Sequence, residues 1–544
     1  MGSRRDDPIV SSSRPAANHA RPANTATRPN VLFIMADDHA ANAISAYGSR
    51  LASVFRTPHI DRLASEGMLL ENCHCTNAIC TPSRATILTG QHSHVNGVRT
   101  LYDPLPADAH TFVEDFHAAG YATAIFGKWH LHARPRGFDT FSILPGQGMY
   151  NDPYFVDPDD EWPSPDGAGG AGEGRFYPQG HRHTGHVTDI VTDKTLDWLA
   201  HRDREKPFLL FCHHKAPHDD FEYAARYEHE LDGIEIPEPG SLFEDKSHRS
   251  DGSRDYGTTV SDRNVRRNAV RTMSRAGYPT GSLDIRGLSS RERTKAAYQK
   301  YLKDYLRCVR GIDDGVGRIL DFLDRDGLSE NTIVVYTSDQ GMFLGEHDYI
   351  DKRWIYEEAL RMPFLVRYPP EIRPGSRSDA VVCNVDFAQT LLDYAGISMP
   401  ALASARPTVP AGPAASGTQG RSFRPILAGN EPADWRHVVY NRYWMHMEHH
   451  DNPAHYGIRT REHKLIFFYG LPLDANGAQP YVTPPGWELY DLVRDPRELN
   501  NVYNDPEYAE VAARLKDELF ALKRETGDTD ERYQELQELV ARMT

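Results

Sequence analysis

Residues 30–38 read Asn30-Val31-Leu32-Phe33-Ile34-Met35-Ala36-Asp37-Asp38. Five apolar side chains in succession leave no polar face, so this run reads as a strand buried on both sides and not as one half-exposed to water. It stops abruptly at two acids. Three further runs share the pattern. Tyr121 to Phe126 ends at Gly127-Lys128, Phe208 to Cys212 ends in His213-His214, and Thr332 to Tyr336 ends in Ser338-Asp339-Gln340-Gly341. Helical patterns lie between them. The clearest runs from about Thr294 to Asp324, with Leu302, Leu306, Val309, Ile312, Val316, Ile319 and Leu323 at steps of three and four. Strands alternating with helices predict an α/β fold built on a mostly parallel sheet sandwiched by helices.

In open parallel sheets, ligands bind beyond the carboxyl ends of the strands. Those ends carry Asp37 and Asp38, Lys128 and His130, His214 and His218, and Asp339 and Gln340. Acids, an amide and cations from four strands are thus aimed at one edge, which predicts an oxygen-rich metal site beside an anion site. Carboxylate and amide oxygens without a thiolate cage suit Ca²⁺ or Mg²⁺ better than Zn²⁺. Taken alone, Asp37-Asp38 is equally well explained as an acidic loop. Cys80-Thr81-Pro82-Ser83-Arg84 places a proline near the first turn of a helix, with Cys80 just before it. A helix start there favours negative charge, and Arg84 would project back toward Cys80. By itself a single cysteine reads as a small buried hydrophobe.

Composition sets the outer bounds. The chain has 544 residues, 39% apolar and 25% charged, as expected of a globular protein with a sizeable core. No run approaches the ~20 apolar residues of a membrane span. Lys and Arg number 61 against 77 Asp and Glu, a formal charge of −16. That balance argues against a nucleic-acid binder, and an anionic substrate must be caught by local cations. Six cysteines, with no CxxC pair, form no disulfide framework. Residues 1–29 read as a disordered polar tail without the apolar stretch of a secretory signal, so the expected location is cytoplasmic. A trimmed signal would change this to periplasmic or secreted. Residues 30–430 are expected to form a catalytic domain and 431–544 a smaller α+β subdomain. Irregular stretches are expected at 157–189, 237–293 and 400–420. In the subdomain, 438–444, 457–469 and 487–491 read as antiparallel strands. A terminal helix follows, capped by Asp505 with Pro506, striped by Val511, Leu515, Leu519 and Leu522, and stopped by Gly527.

The motifs together resemble a known family. Cys80-Thr81-Pro82-Ser83-Arg84 resembles the Cys-x-Pro-Ser-Arg motif of the type I sulfatases, whose cysteine is oxidised after translation to Cα-formylglycine. Gly127-Lys128-Trp129-His130-Leu131 resembles the family's Gly-Lys-Trp-His-Leu motif, and Ala216-Pro217-His218 its Ala-Pro-His element. Ser338-Asp339-Gln340-Gly341, Gly345-Glu346 and Asp351-Lys352 are similar to its second metal loop and lysine. Asn30-Val31 and Ala36-Asp37-Asp38 are similar to its first strand and metal loop. The matches keep family order from about residue 30 to 500.

The resemblance implies an alkaline-phosphatase-like core, a C-terminal sheet subdomain and one divalent cation, usually Ca²⁺. Asp37, Asp38, Asp339 and Gln340 would bind it with an oxygen of modified Cys80. Gln340 departs from the family, where Asn or His is commoner. A formylglycine-generating enzyme would be the maturation partner. One hydroxyl of the hydrated aldehyde would attack sulfur, and the other would let sulfate leave. Lys128 and Lys352 would neutralise the sulfate, Arg84 orient the nucleophile, His218 protonate the leaving group and His130 act as base. Asp38-His39 with Ala43 to Gly48, His214 to His218, Tyr301 to Arg310 and His455 to Arg459 resemble bacterial N-acetylglucosamine-6-sulfatase-type enzymes. The implied substrate is therefore a small sulfated mono- or oligosaccharide of glycosaminoglycan or mucin type. Two rivals stand beside it: a phosphonate monoester or phosphodiester hydrolase on the same scaffold, and a non-catalytic binder of sulfated glycans with an unmodified Cys80. Gln147 could approach the sulfate or belong to a plain glycine turn. His214 is left outside the site. His446, His449, His450 and His455 lack the spacing of a second metal site, and His455 and Arg459 are weak candidates for sugar contacts.

Overall fold

The computed structural model describes residues 28–162, 180–398 and 417–543. The main sheet has eight strands. They are β1 (Asn30–Ala36), β2 (Met68–Leu70), β3 (Ala122–Lys128), β4 (Thr140–Leu144), β5 (Phe208–His214), β6 (Thr332–Ser338), β7 (Phe364–Arg367) and β8 (Ser376–Ser378). Their spatial order is β8-β2-β7-β6-β1-β5-β3-β4. The five from β6 to β4 run parallel, and β7 runs against β6. At the centre, Ala36 of β1 lies level with His214 of β5 and Ser338 of β6. Three neighbouring strands therefore end flush, and the residue after each enters the same space.

Alternation along β1 divides its side chains between two cores. Leu32, Ile34 and Ala36 face the cluster built with α2 (Val187–His201) and α3 (Ser290–Arg325), while Val31, Phe33 and Met35 face α1 (Cys80–Thr89) and α4 (Phe387–Ala395). Burial of the sheet on both sides is why its strands carry continuous apolar runs. A second sheet follows, of β9 (Val438–Tyr443), β10 (His455–Thr460), β11 (His463–Phe468) and β12 (Gly486–Asp491), all antiparallel. One face packs on α5 (Ala509–Thr526) and α6 (Gln534–Met543). From the other, Ile466, Phe468 and Tyr490 join the main core.

Several expectations need correction. The long helix starts at Ser290, because Ser289 and Glu292 form a capping box about one turn before the expected start at Thr294. The 457–469 run is two strands, separated by the exposed hairpin pair Arg461-Glu462. A 3₁₀ turn, Pro506–Tyr508, precedes the terminal helix, and α6 follows it. The irregular stretch at 157–189 overlaps α2, which starts at Val187, and Tyr154–Phe155 pairs with His181–Arg182; residues 163–179 lie outside the described residues. Of the expected linker, 400–416 lie outside them too, but Thr418 and Gln419 bond the Gly90 carbonyl at the end of α1. Of the expected tail, 1–27 lie outside, whereas the Arg28 guanidinium rests over the Tyr121 ring. The six cysteines are buried and unpaired. Among the described residues, no helix is long and apolar enough to cross a membrane.

Candidate active site

The flush strand ends bring Asp37, Asp38 and Asp339 together, with ligand oxygens all within 4.8 Å of one another. The three side chains are buried. Asp38 takes a left-handed backbone (φ 65), which turns the chain back over the strand ends. Tyr305, reaching up from α3, holds that turn by donating to the Asp38 carbonyl and accepting from the Ala40 amide, both at 2.8 Å. Asp339 accepts from the Asp38 amide at 3.2 Å.

Helix α1 enters this cluster end-on. Cys80 is its first residue, one position further in than expected, and its thiol donates to Asp37 Oδ1 at 3.3 Å. One turn later Arg84 lies on the same face. Its Nε donates to Asp339 Oδ2 and its Nη1 to the Lys128 carbonyl, each at 2.9 Å, while Nη2 stands 3.6 Å from Asp37 Oδ1. One buried guanidinium thus ties the ends of β1, β3 and β6. Every residue of α1 is buried, unusual for a helix and consistent with a rigid insert beneath the site.

Cations balance the acids. Lys128 Nζ donates to Asp37 and, at 2.5 Å, to Gln147 Oε1. Lys352 Nζ donates to Asp38 Oδ2 at 2.5 Å. Lys128 can reach this far because Gly127 (φ 103) lets β3 close on β5; a Cβ there would lie 2.0 Å from the His213 carbonyl. Burial and the neighbouring Asp37 push the Asp339 carboxyl up to about 7. Burial alone would raise Asp37 too, but Lys128, His218 and Arg84 hold it well below the usual range. Burial opposes the charge on Lys352, yet Asp38 and Asp351 keep it firmly protonated.

Gln340 donates through Nε2 to Asp38, whereas its buried Oε1 has no hydrogen-bond partner among the described residues. An orphaned amide oxygen beside three clustered carboxylates is the donor set of a hard divalent cation, so the residues present fit Ca²⁺ or Mg²⁺. His218 Nε2 points into the cluster 3.6 Å from Asp38 Oδ2, and Asp219 Oδ1 holds its Nδ1 at 2.5 Å. Burial, with Lys128 adding to it, keeps His130 neutral, and its buried Nδ1 has no partner among the described residues.

The second sheet completes the rim. Ile79, Cys80 and Leu101 pack with Tyr443 and Met445 from β9 and the loop after it. In that loop His450 Nε2 lies 3.4 Å from Asp351, the neighbour of Lys352, and His449 bonds the Tyr102 hydroxyl at 2.7 Å. Met447, His449 and Asp451 all have positive φ, marking a tightly wound loop.

A family model described as "Sulfatase" matches residues 29–397, and one described as "N-sulphoglucosamine sulphohydrolase, C-terminal" matches 345–525. The chain belongs to the sulfatase family. An N-acetylglucosamine-6-O-sulfatase of Bacteroides thetaiotaomicron is 37% identical to this sulfatase over 541 residues, spanning 92% of this chain and 88% of the relative. A solved structure of a protein with its substrate, D-glucosamine-2-N,6-O-disulfate, superposes with a TM-score of 0.78 at 36% identity, covering 93% of this chain and 100% of that one. A phosphonate monoester hydrolase from Silicibacter pomeroyi reaches 0.66 at 23% identity, covering 92% and 97%, a likeness of fold. The sulfatase's fold is the alkaline-phosphatase-like architecture expected from its sequence.

The sulfatase thus gathers Asp37, Asp38, Cys80, Arg84, Lys128, His130, His218, Asp339, Gln340 and Lys352 around one pocket. Its His214 lies on the opposite sheet face against Cys212, as its position in β5 dictates. His455 and Arg459 are not at the rim. His455 is buried between Tyr443 and Trp354, and Arg459 pairs with Glu357. His446 is also structural, accepting from the Ala454 amide at 3.0 Å. Sequence reasoning missed Asp219 and His213, which bonds the Lys128 carbonyl at 3.3 Å. Adjacency to His218 could have flagged the first; nothing local flags the second.

Proposed function

We propose that this sulfatase hydrolyses the 6-O-sulfate ester of an N-acetylglucosamine or glucosamine sugar. The observation that carries the chemistry is the convergence of Cys80, three carboxylates, two lysines and His218 on one buried pocket. The substrate class is supported by the relative of that name and by the glucosamine disulfate seen in the similar structure.

Asp37, Asp38, Asp339 and Gln340 would hold Ca²⁺ or Mg²⁺ together with an oxygen of modified Cys80, and the cation would supply Lewis-acid polarisation of the sulfate. Cys80, converted by a formylglycine-generating enzyme, would supply a hydrated aldehyde as nucleophile. Arg84 fixes the position of residue 80 relative to β3 and β6. Lys128 and Lys352, from opposite sides, turn their ammonium groups to the sulfate oxygens and to the charge growing on the bridging oxygen. Asp219 accepts from His218 Nδ1–H and orients the ring, and the imidazolium so held would give its Nε2 proton to the leaving sugar oxygen. His130, held neutral, accepts the proton whose loss releases sulfate.

Specificity constants decide the substrate class. kcat/KM is expected to be highest for 6-O-sulfo-N-acetylglucosamine or its 2-N-sulfated counterpart among sulfated hexosamines. A higher value on a phenylphosphonate monoester overturns the assignment. His218→Gln separates the acid role from simple damage. Turnover of the sugar sulfate should fall about 10²- to 10⁴-fold, the usual range for a lost general acid. 4-Nitrophenyl sulfate, whose leaving group needs little protonation, should fall far less. Equal losses on both substrates would refute the role.

A further inference from the structure

Segment 261–275 reads Ser261-Asp262-Arg263-Asn264-Val265-Arg266-Arg267-Asn268-Ala269-Val270-Arg271-Thr272-Met273-Ser274-Arg275. It holds five arginines and one acid, in a chain whose formal charge is −16. Its turn is built around Asn264. The Asn264 Oδ1 accepts from the Arg266 and Arg267 amides at 3.0 and 3.1 Å, and its Nδ2 donates to the Gly257 carbonyl at 2.9 Å and to Asp451 Oδ2 at 3.1 Å. This fixed turn presents Arg266 and Arg267 outward, with side chains 66% and 50% exposed.

The segment runs beside residues that flank the catalytic cluster. At one end it meets Asp451, the residue after His450, whose ring reaches Asp351 beside Lys352. At the other, Arg275 pairs with Asp220, two residues beyond His218, at 3.1 Å. Arg263 is occupied by the Glu244 carbonyl and Asp348. Asp262 accepts from Ser290. Arg266 and Arg267 stand 3.8 and 3.9 Å from the largely buried Asp451, the outer reach of an ion pair, and exposed Arg271 donates to the Val265 carbonyl at 3.4 Å. Most guanidinium donors of these three face solvent at the rim.

We propose that Arg266, Arg267 and Arg271 form a second anion subsite, which holds the charged, non-reacting part of a sulfated or carboxylated oligosaccharide whose end sugar lies over Cys80. The inference rests on the sulfatase reading and names its substrate class as a polyanionic chain. Guanidinium forks match sulfate and carboxylate oxygens in pairs. A positive stripe at a cleft mouth also raises the local concentration of a polyanion that the net negative charge of the protein otherwise repels.

The test is the triple variant Arg266→Gln/Arg267→Gln/Arg271→Gln in the full chain. On monomeric 6-O-sulfo-N-acetylglucosamine its kcat/KM should stay within about twofold of wild type. On a heparin-type hexasaccharide ending in the same sugar it should fall about tenfold, mainly through KM, as expected for losing three exposed charge contacts. Wild type should lose that advantage in high salt, where screening shortens to ~3 Å at 1 M. Equal losses on both substrates, or none on the hexasaccharide, overturn the subsite. If wild type turns over neither substrate, the sulfatase reading fails by itself. Direct titration of the hexasaccharide then decides: about tenfold weaker binding by the variant supports the subsite, and equal affinity overturns it.

Discussion

Cys80→Ser is expected to lower turnover by about 10⁴-fold or more while leaving the fold in place, a loss of the size seen when a covalent nucleophile is removed. The swap changes one buried atom on the first turn of α1, where the donor to Asp37 Oδ1 persists as a hydroxyl. Stability should therefore move by less than about 1.5 kcal/mol, as for other volume-conserving changes. A serine hydroxyl can attack sulfur once, but it has no second oxygen through which to expel sulfate. Peptide mass spectrometry of the variant after exposure to substrate should find one sulfo group retained on residue 80. Multiple turnovers by a variant with serine verified at that position would end the proposed role of Cys80.

The second large effect concerns the acids. Asp37, Asp38 and Asp339 bring ligand oxygens within 4.8 Å of one another in a buried cluster, paired with Arg84, Lys128 and Lys352, while the orphaned Gln340 Oε1 lies beside them. Protein stripped of divalent cations should lose turnover about 10³-fold and regain it with Ca²⁺ or Mg²⁺. Cation at a thousandfold excess over its dissociation constant should add about 4 kcal/mol to stability, visible as a Tm rise of several degrees. Asp37→Asn should abolish both responses, because it removes a ligand charge without changing shape. Full activity in protein shown by elemental analysis to be metal-free would refute the cation site.

The legible part of this molecule is the part where chemistry and burial coincide along the chain. β1, β3, β5 and β6 are buried on both faces, so each is a continuous apolar run, and the stop residues of β1, β3 and β6 (Asp37 and Asp38, Lys128, Asp339 and Gln340) are the ones gathered in the candidate site. Strands such as β2 and β8, three residues each, carry no periodicity to read. The hairpin in 457–469 was hidden because Arg461 and Glu462 interrupt the alternation for only two positions. His213 and His450 reach the pocket through tertiary packing, and their local sequence says nothing of it. His455 illustrates the opposite error: a polar residue in a motif-like stretch is the filling of an aromatic stack.

The contact at Gly127 has a consequence for how such a protein can change over time. With the His213 carbonyl already where a methyl would go, β3 and β5 cannot slide, and the lysine that follows is locked into one position. The rim is assembled from the loop after β9 and from the segment 261–275, which hold no glycine pressed against a neighbouring backbone. Inheritance can therefore rewrite which sugar is accepted by remodelling loops, while bond cleavage stays conserved on strand ends that tolerate no drift.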